Sequence, residues 1–170
     1  MEPSGSKPVF RGRWVRVDEE DWPGSGTWEV VRPLDAACVL PVTPEGDVLL
    51  VRQFRAAARR RTLEIPAGIL DVAGEEPIDC AARELYEETG YRHASIELLA
   101  RILPSPGVST ERIHVHLART SAGAEAEPED GVELVRRPLA EMVATARAGA
   151  LEDAKTVVAL LLTAARGTPE

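Results

Sequence analysis

The sequence is poor in aromatic residues, cysteine and long apolar runs. Aromatic side chains make up 4% of its 170 residues, and the two cysteines, Cys38 and Cys80, stand far apart in alanine-rich segments. This pattern argues against a disulfide framework or a cysteine-rich zinc module and is typical of the reducing cytoplasm. No apolar run approaches 18 residues, so we predict no membrane helix. The first ten residues lack the basic and apolar regions of a secretory signal.

Basic residues are also fewer than acidic residues. The chain has 28 acidic and 20 basic residues, for a formal net charge of −8. Because surfaces that bind nucleic acid carry the opposite bias, we predict no nucleic-acid partner. An acidic protein that handles phosphates needs local arginine or divalent metal ions to overcome its own field. The hydrophobic content of 44% is that of an ordinary globular domain.

The order of the hydrophobic patterns predicts an α+β fold. Residues 1–34 are predicted to form an irregular tail, 1–9, followed by a small antiparallel β subdomain that needs the rest of the chain or a second copy to pack on. Residues 35–170 are predicted to form the main domain, a mixed sheet with helices packed on it. Its predicted elements are a hairpin of 36–42 and 48–54, a basic connector at 56–61, a strand at 63–65, a helix at 77–89, strands at 95–103, 113–119 and 132–135, and helices at 138–148 and 153–166.

The predicted helix 77–89 carries three acidic side chains on one face. Glu84, Glu87 and Glu88 stand at positions i, i+3 and i+4, which are neighbours on a helix surface. Like charges at this spacing destabilise a helix, so the arrangement favours a compensating cation. Carboxylates are hard oxygen ligands that suit Mg²⁺ or Mn²⁺ better than zinc or copper. The alternative is a solvent-exposed acidic face with an Arg83–Glu87 ion pair.

The segment around this helix resembles the Nudix box, the signature of the Nudix hydrolases. The residues that match the box in register are Glu75, Arg83, Glu84, Leu85, Glu87, Glu88, Gly90 and Tyr91. The chain departs from the pattern at two points, because six residues rather than five separate Gly68 from Glu75, and Tyr91 replaces an aliphatic residue. The extra residue falls in a loop, where insertions are tolerated, and leaves the acidic face intact.

Three further segments resemble the ADP-ribose pyrophosphatase branch of this family: 65–68, 105–107 and 109–112. The resemblance implies a Nudix fold, which is a mixed β-sheet sandwiched between helices. It also implies that the N-terminal β subdomain is exchanged between the subunits of a homodimer. The implied reaction is hydrolysis of the diphosphate of ADP-ribose to AMP and ribose 5-phosphate, with Mg²⁺ or Mn²⁺ as cofactor.

The resemblance further implies the residues of the metal site. Glu84 and Glu88 are expected to bind the metal ions and so to be catalytic. Glu87 is expected close by, and the carbonyl of Ala67 is expected to complete a site.

Base, structural and substrate roles follow from the same resemblance. Glu129, on the acidic loop 121–131, is the expected general base, with Asp130 or Glu133 as the next candidates. Arg83 is expected to orient carboxylates such as Glu75 within the motif. The residues expected to contact substrate are Arg52, Arg55, Gly68, Pro106, Gly107, Glu111 and Trp28.

Several alternatives stay open at this point. Trp28 either stacks on the adenine from the partner's subdomain or is a buried strand residue. His114 and His116 are expected to point outward from their strand and not to bind metal. Other possible substrates are GDP-mannose, an NAD-type dinucleotide or a flavin dinucleotide. A sensor that binds ADP-ribose without cleaving it, and a structural Ca²⁺ module, are the alternatives outside catalysis; the intact acidic triplet and the lack of an EF-hand-like loop argue against them.

Overall fold

Ten strands and three helices follow one another in the described part of the chain, residues 1–167 of a computed structural model. The strands are β1 (Gly5–Arg11), β2 (Val15–Trp22), β3 (Gly26–Pro33), β4 (Ala36–Val42), β5 (Asp47–Arg55), β6 (Arg60–Glu64), β7 (Ala67–Ile69), β8 (His93–Ile102), β9 (Ile113–Thr120) and β10 (Glu133–Pro138). The helices are α1 (Pro77–Thr89), α2 (Leu139–Arg147) and α3 (Ala154–Arg166). The α+β prediction is confirmed. None of the helices within residues 1–167 is long and apolar enough to cross a membrane.

A seven-stranded mixed sheet forms the centre of the main domain. Its strand order is β10–β5–β4–β9–β8, with β6 paired to β5 and β7 paired to β4. Strands β4 and β9 are parallel neighbours, so segments distant in sequence meet at the centre. Strands β4 and β5 form the predicted hairpin, but within the described chain they share one residue pair, Val42↔Val48 beside the turn. Farther from the turn, β4 pairs with β7 and β5 pairs with β6. Strand β6 begins inside the predicted basic connector 56–61.

Strand β4 is buried on both faces and separates two apolar layers. Val39 belongs to the apolar cluster that includes Leu85 of α1. Leu40, on the opposite face, belongs to the cluster that includes Leu160 of α3 and Met142 of α2. Full burial of such a side chain stabilises the fold by about 1.5–3 kcal/mol. Helices therefore cover both faces of the sheet, as the resemblance implied.

The N-terminal segment forms its own antiparallel sheet, in the order β1–β2–β3. Strand β1 covers most of residues 1–9, so the predicted irregular tail was wrong. The strand shows no hydrophobic alternation because it is exposed along almost all of its length. The sheet reaches the main domain through backbone hydrogen bonds, from Val31 N–H to the Val108 carbonyl and from Thr110 N–H to the Val31 carbonyl.

Helix α1 begins and ends as its terminal residues predict. Pro77 stands in the first turn, where its missing N–H removes no helical hydrogen bond. Gly90 follows the last turn with φ of 73°, a left-handed conformation that favours glycine, and its N–H donates to the Tyr86 carbonyl. The helix is therefore fixed in length at both ends.

The buried face of α1 differs from the predicted apolar stripe. That stripe comprised Ile78, Ala82, Leu85 and Thr89. Leu85 and Thr89 are buried as predicted, but Ile78 is 39% exposed, and Ala81 and Glu88 are buried in addition. An acidic side chain thus completes the buried face of the helix.

Strand β9 is buried on both faces, contrary to the prediction of one buried face. His116 is 2% exposed, and its Nδ1 lies 3.2 Å from the Cys38 carbonyl oxygen. Its predicted outward position was wrong because α1 covers the side of the sheet that it faces. Burial also lowers the pKa of this histidine.

Candidate active site

Glu88 is the most deeply buried acid of the predicted metal face, at 3% exposure. Its Oε1 accepts a hydrogen bond from Nε2 of Gln53 at 3.2 Å, and its Oε2 accepts one from the N–H of Ala67 at 3.1 Å. Burial raises the pKa of Glu88 to about 7, and the negative charges of Glu84 and Glu129 add to the rise. A divalent cation beside this carboxylate would favour its charged form.

Glu84 lies directly against the backbone of β7. A Cβ at position 68 would stand 1.8 Å from Oε1 of Glu84, so the close approach requires the glycine found there. Burial raises the pKa of Glu84, although a hydrogen bond from Arg83 opposes the rise. Gly68 therefore brings Glu84 next to the Ala67 backbone, where Glu88 is also bound.

Arg83 binds the other acids of the motif. Its Nε and Nη2 donate to both oxygens of Glu75, at 2.9 and 3.0 Å. Its Nη1 donates to Glu84 at 2.6 Å and to Glu87 at 3.0 Å. Glu87 is the more exposed of these acids, with 45% of its side chain accessible. Arg83 thus orders three carboxylates around the face that Glu84 shares with Glu88.

The acidic loop docks on the C-terminal end of α1. The N–H of Glu129 donates to the Glu87 carbonyl at 2.9 Å, and the N–H of Glu125 donates to the Gly90 carbonyl at 2.7 Å. A Cβ at Gly90 would stand 1.8 Å from the Ala126 carbonyl oxygen, so this glycine also makes room for the loop. The docking brings the Glu129 charge near enough to act on the pKa values of Glu84 and Glu88.

The donor set at this face fits a hard divalent cation. Within residues 1–167, no group of three or more His, Cys, Asp and Glu side chains forms a complete metal cage. Mg²⁺ is commonly held by one or two carboxylates together with water and substrate phosphates, and it does not need such a cage. Glu84 and Glu88, one turn apart on α1 and next to the Ala67 backbone, match that mode of binding.

The two arginines of β5 bind different acids. Nε and Nη2 of Arg55 donate to the two oxygens of Glu64, each at 2.8 Å. The hydrogen bonds that Arg55 donates to Glu64 raise the pKa of Arg55, and the charge of Glu88 contributes. Arg52 is exposed to the same extent as Arg55, and its Nη1 donates to Glu133 at 3.0 Å. Arg55 is therefore the arginine closer to the predicted metal site.

Three of the remaining predicted substrate residues gather at a separate cavity of about 570 Å³. Trp28 of β3 lines it together with Pro106 and Gly107, and none of the α1 carboxylates does. Trp28 is 52% exposed, so the alternative of a buried strand tryptophan was wrong. Glu111 does not line this cavity; burial and the charge of Asp35 raise its pKa. The predicted residues thus form two groups within one chain.

The sequence of the chain was compared with known proteins. The family model described as NUDIX domain matches residues 32–160. The chain belongs to the Nudix family. An ADP-ribose pyrophosphatase of Bacillus subtilis (strain 168) is 38% identical over 160 residues, which cover 89% of this chain and 86% of that protein.

Other relatives of this Nudix protein carry different names. The methanol dehydrogenase activator of Bacillus methanolicus is 34% identical over 163 residues, covering 91% of this chain and 88% of that protein. A GDP-mannose pyrophosphatase of Citrobacter koseri is 37% identical over 125 residues, covering 66% of this chain and 64% of that protein. With the relatives named as pyrophosphatases, the family match identifies a Nudix hydrolase of the ADP-ribose pyrophosphatase type.

Sequence reasoning missed three polar residues that surround the site of this Nudix hydrolase. Gln53 stands between the two arginines in VRQFR, and the alternation of β5 could have placed it on the face of Arg55, opposite Arg52. Glu64 directly precedes the 65–68 motif. Lys155 is one of two lysines in a chain rich in arginine, and it follows an aspartate at the start of a helix. Nothing in the sequence indicated that Glu64 and Lys155 meet.

Proposed function

We propose that this Nudix hydrolase cleaves the diphosphate of ADP-ribose to AMP and ribose 5-phosphate, with Mg²⁺ or Mn²⁺ as cofactor. The observation that carries the proposal is the pair of desolvated carboxylates, Glu84 and Glu88, beside the backbone of Ala67 and Gly68. The similarity to an ADP-ribose pyrophosphatase over most of both chains supports ADP-ribose as the substrate.

Glu84, Glu88 and the carbonyl of Ala67 would hold the metal, which would supply charge neutralisation at the diphosphate and activation of water. Glu88 must be ionised for this role, and a neighbouring cation opposes the rise of its pKa caused by burial. Gly68 keeps the backbone against Glu84, and Arg83 restrains the carboxylate positions. These contacts preorganise the face before substrate arrives.

Arg55 would bind a phosphate oxygen of the substrate. Its guanidinium is held by Glu64 through Nε and Nη2, and no hydrogen bond within residues 1–167 engages Nη1. That free edge can donate to an anion next to Glu88. Arg52 would contribute a second positive charge.

Glu129 would accept the proton of the attacking water. Its loop is docked on α1, and its charge acts on the carboxylates that would hold the metal. Loss of a general base lowers turnover by about 10²-fold or more, so Glu129→Gln should lower kcat with little change in KM. Asp130→Asn is the matched control. Wild-type turnover in Glu129→Gln would reject this base and direct attention to Asp130 or Glu133.

The second candidate substrate is GDP-mannose. A relative named for that activity matches 66% of this chain, and the carboxylate face has no feature that distinguishes the two substrates. The base and sugar must therefore be selected outside α1. The cavity lined by Trp28, Pro106 and Gly107 is the candidate for that selection.

A substrate panel tests the function. The protein is incubated with ADP-ribose, GDP-mannose, NAD and a flavin dinucleotide, with Mg²⁺ or Mn²⁺, and products are identified by mass. We expect AMP and ribose 5-phosphate, the highest kcat/KM for ADP-ribose, and no activity in excess chelator. A higher kcat/KM for GDP-mannose, with GMP as a product, would replace the first candidate by the second. Full activity in chelator would refute the role of the carboxylate face.

We also propose that the protein works in the cytoplasm as a homodimer in which residues 1–34 pack on the partner. Val9, Phe10 and Trp14 of the N-terminal segment are each more than half exposed, and exposed apolar side chains that lie close together are typical of a surface that binds another protein. Two free, buried cysteines, Cys38 and Cys80, agree with a reducing compartment.

A further inference from the structure

Lys155, at the start of α3, is a lysine in an unusual position. Its side chain is 11% exposed, and its ammonium group forms ion pairs with Glu64 of β6 and with Asp153, the latter at 2.8 Å. Lysines are rarely buried unless they are paired, so the position depends on these two acids. Lys7, the other lysine of the chain, is 68% exposed and pairs with Glu19 on the N-terminal sheet.

Glu64 connects Lys155 to the candidate site. Its side chain is 4% exposed and binds Arg55 through both oxygens on one side and Lys155 on the other. The hydroxyl of Thr62 donates to the same carboxylate at 2.5 Å. Two cations therefore share one buried carboxylate, and Arg55 is the one that faces the acidic surface of α1.

The start of α3 is also fixed to the strand that carries Glu64. The Asp153 carboxylate caps the helix by accepting from the N–H of Thr156 at 3.0 Å and from its hydroxyl at 2.5 Å. The Thr156 hydroxyl oxygen in turn accepts from the N–H of Ile65 at 2.8 Å. These contacts link Glu64 through Lys155, Asp153 and Thr156 to Ile65, and the peptide bond between Glu64 and Ile65 closes the ring. Lys155 therefore has a fixed place relative to Glu64.

We propose that Lys155 is a positioning residue for substrate, which fixes Glu64 and through it the edge of Arg55 that binds the diphosphate. Without the ammonium group, the Glu64 and Asp153 carboxylates would face each other without an intervening cation. Repulsion would move Glu64, and Arg55 would lose the side-on contact that orients it. This inference rests on the proposed function for its kinetic test.

A double-mutant cycle tests the proposal. Lys155→Met keeps most of the side-chain volume and removes the charge, and Arg55→Ala removes the group on which Lys155 acts. We expect Lys155→Met to raise KM for ADP-ribose by about 10-fold while kcat falls less, since misplacing a binding group weakens substrate capture. In the Arg55→Ala background the same substitution should change KM by less than about 2-fold, because the two residues act in series.

A general structural role for Lys155 makes a different prediction. It would lower the active fraction, and hence kcat, equally in both backgrounds. An equal KM effect in both backgrounds, or no KM effect, would overturn the proposal. Lys155→Arg retains the charge and should recover most of the KM loss. Lys7→Met is the matched control and should leave both constants unchanged. If Lys155→Met does not fold, Glu64→Gln replaces it in the cycle with the same expectations.

A measurement without substrate separates this inference from the proposed function. The Nε–H of Arg55 can be followed by ¹⁵N NMR and assigned by its loss in Arg55→Ala. We expect slow hydrogen exchange in the wild-type protein and at least about 10-fold faster exchange in Lys155→Met. Unchanged exchange would overturn the positioning role. A wild-type protein that leaves ADP-ribose intact would refute the proposed function while this readout still stands.

Discussion

Two regions of the molecule bury acidic side chains, but they differ in whether arginine forms an ion pair with the buried acid. In the N-terminal sheet, Asp18 and Glu20 are 3% and 4% exposed, and Arg32 forms an ion pair with each. On α1, Glu88 is buried to the same extent, but its hydrogen-bond partners are the Gln53 amide and the N–H of Ala67. Burial alone therefore does not identify a functional acid.

The hydrogen-bond partners of a buried acid decide whether its pKa is lowered or raised. Although burial opposes it, hydrogen bonds from Arg32 and Arg16 lower the pKa of Asp18. Burial raises the pKa of Glu88 to about 7. Asp18, which has its own arginines, stabilises the fold, whereas Glu88, which no arginine binds within residues 1–167, is ready for a cation from outside the chain.

The largest expected effect comes from Glu88→Gln. The substitution keeps the shape of the side chain but removes the charge. The amide oxygen of Gln can still accept from the N–H of Ala67, and its NH₂ group can donate to Gln53 once the Gln53 amide turns over. We expect kcat for diphosphate hydrolysis to fall on the order of 10³-fold, since metal ions contribute several kcal/mol to such reactions. Thermal unfolding should be unchanged or shifted upward, because a buried charge is removed.

Asp18→Asn is the matched control on the N-terminal sheet. It removes a charge that Arg16 and Arg32 bind, so it should lower Tm and leave kcat within about 2-fold. A Glu88→Gln protein that lost Tm and kept its activity would reverse the assignment of the two regions.

The second effect concerns acid stability and Glu64, the paired acid of the main domain. Burial opposes ionisation, but hydrogen bonds from Arg55 and Lys155 and the charge of Lys155 lower the pKa of Glu64 to about 2, from 4.5. A depressed pKa stabilises the fold above pH 4.5, and this contribution disappears as pH falls from 4.5 toward 2. It amounts to at most about 3 kcal/mol.

Urea unfolding at several pH values checks this prediction. The free energy of unfolding of the wild-type protein should fall more steeply between pH 4.5 and 2.5 than that of Glu64→Gln. The two proteins should then converge in stability at the acidic end. Parallel curves over this range would mean that the ion pairs of Glu64 add nothing to acid stability.

A smaller effect is expected from Trp28 on the N-terminal sheet. Replacement of a tryptophan that stacks on a base costs about 1–3 kcal/mol, so Trp28→Ala should raise KM for ADP-ribose by about 10-fold with kcat nearly constant. Trp22→Phe, on the same sheet, is the control for general damage to the cavity. An unchanged KM in Trp28→Ala would remove the 570 Å³ cavity from the substrate site.

The smallest effect on the fold is expected from replacing two exposed aromatic residues, one on β1 and one in the turn that follows it. Trp14 is 53% exposed and stacks under the Arg13 guanidinium at 4.4 Å, and Phe10 is 55% exposed. We expect light scattering to give the mass of two chains for the wild type and a shift toward one chain for Phe10→Ser with Trp14→Ser. A wild-type mass of one chain at micromolar concentration would rule out the proposed dimer.

The sequence was sufficient for the features that follow from local spacing. The bounds of α1 were predicted from Pro77 and Gly90, and the shared face of Glu84 and Glu88 from helical geometry. The α+β class followed from the order of elements. The buried face of α1 was predicted in part, because Leu85 and Thr89 are buried, whereas Ile78 was counted as core and is exposed. The burial of Glu88 on the same helix was not expected.

The features that sequence reasoning missed depend on tertiary contacts. Glu64 and Lys155 are 91 positions apart, and no local pattern pairs them. Strand β1 has no buried face, so it lacks the alternation that reveals a strand, and backbone pairing with β2 defines it. His116 looked like a surface residue because covering helices cannot be read from one strand.

The parallel pairing of β4 and β9 determines when the active surface can form during folding. The Cys38 carbonyl of β4 contacts the ring of His116 in β9, 78 positions later, and α1 lies inside the loop that this contact closes. Closing so long a loop is a slow, entropically opposed step. We therefore expect α1 to gain its helical structure early in refolding, and the carboxylates to acquire their native environment only when β9 docks. Enzymatic activity should return later than helical circular dichroism.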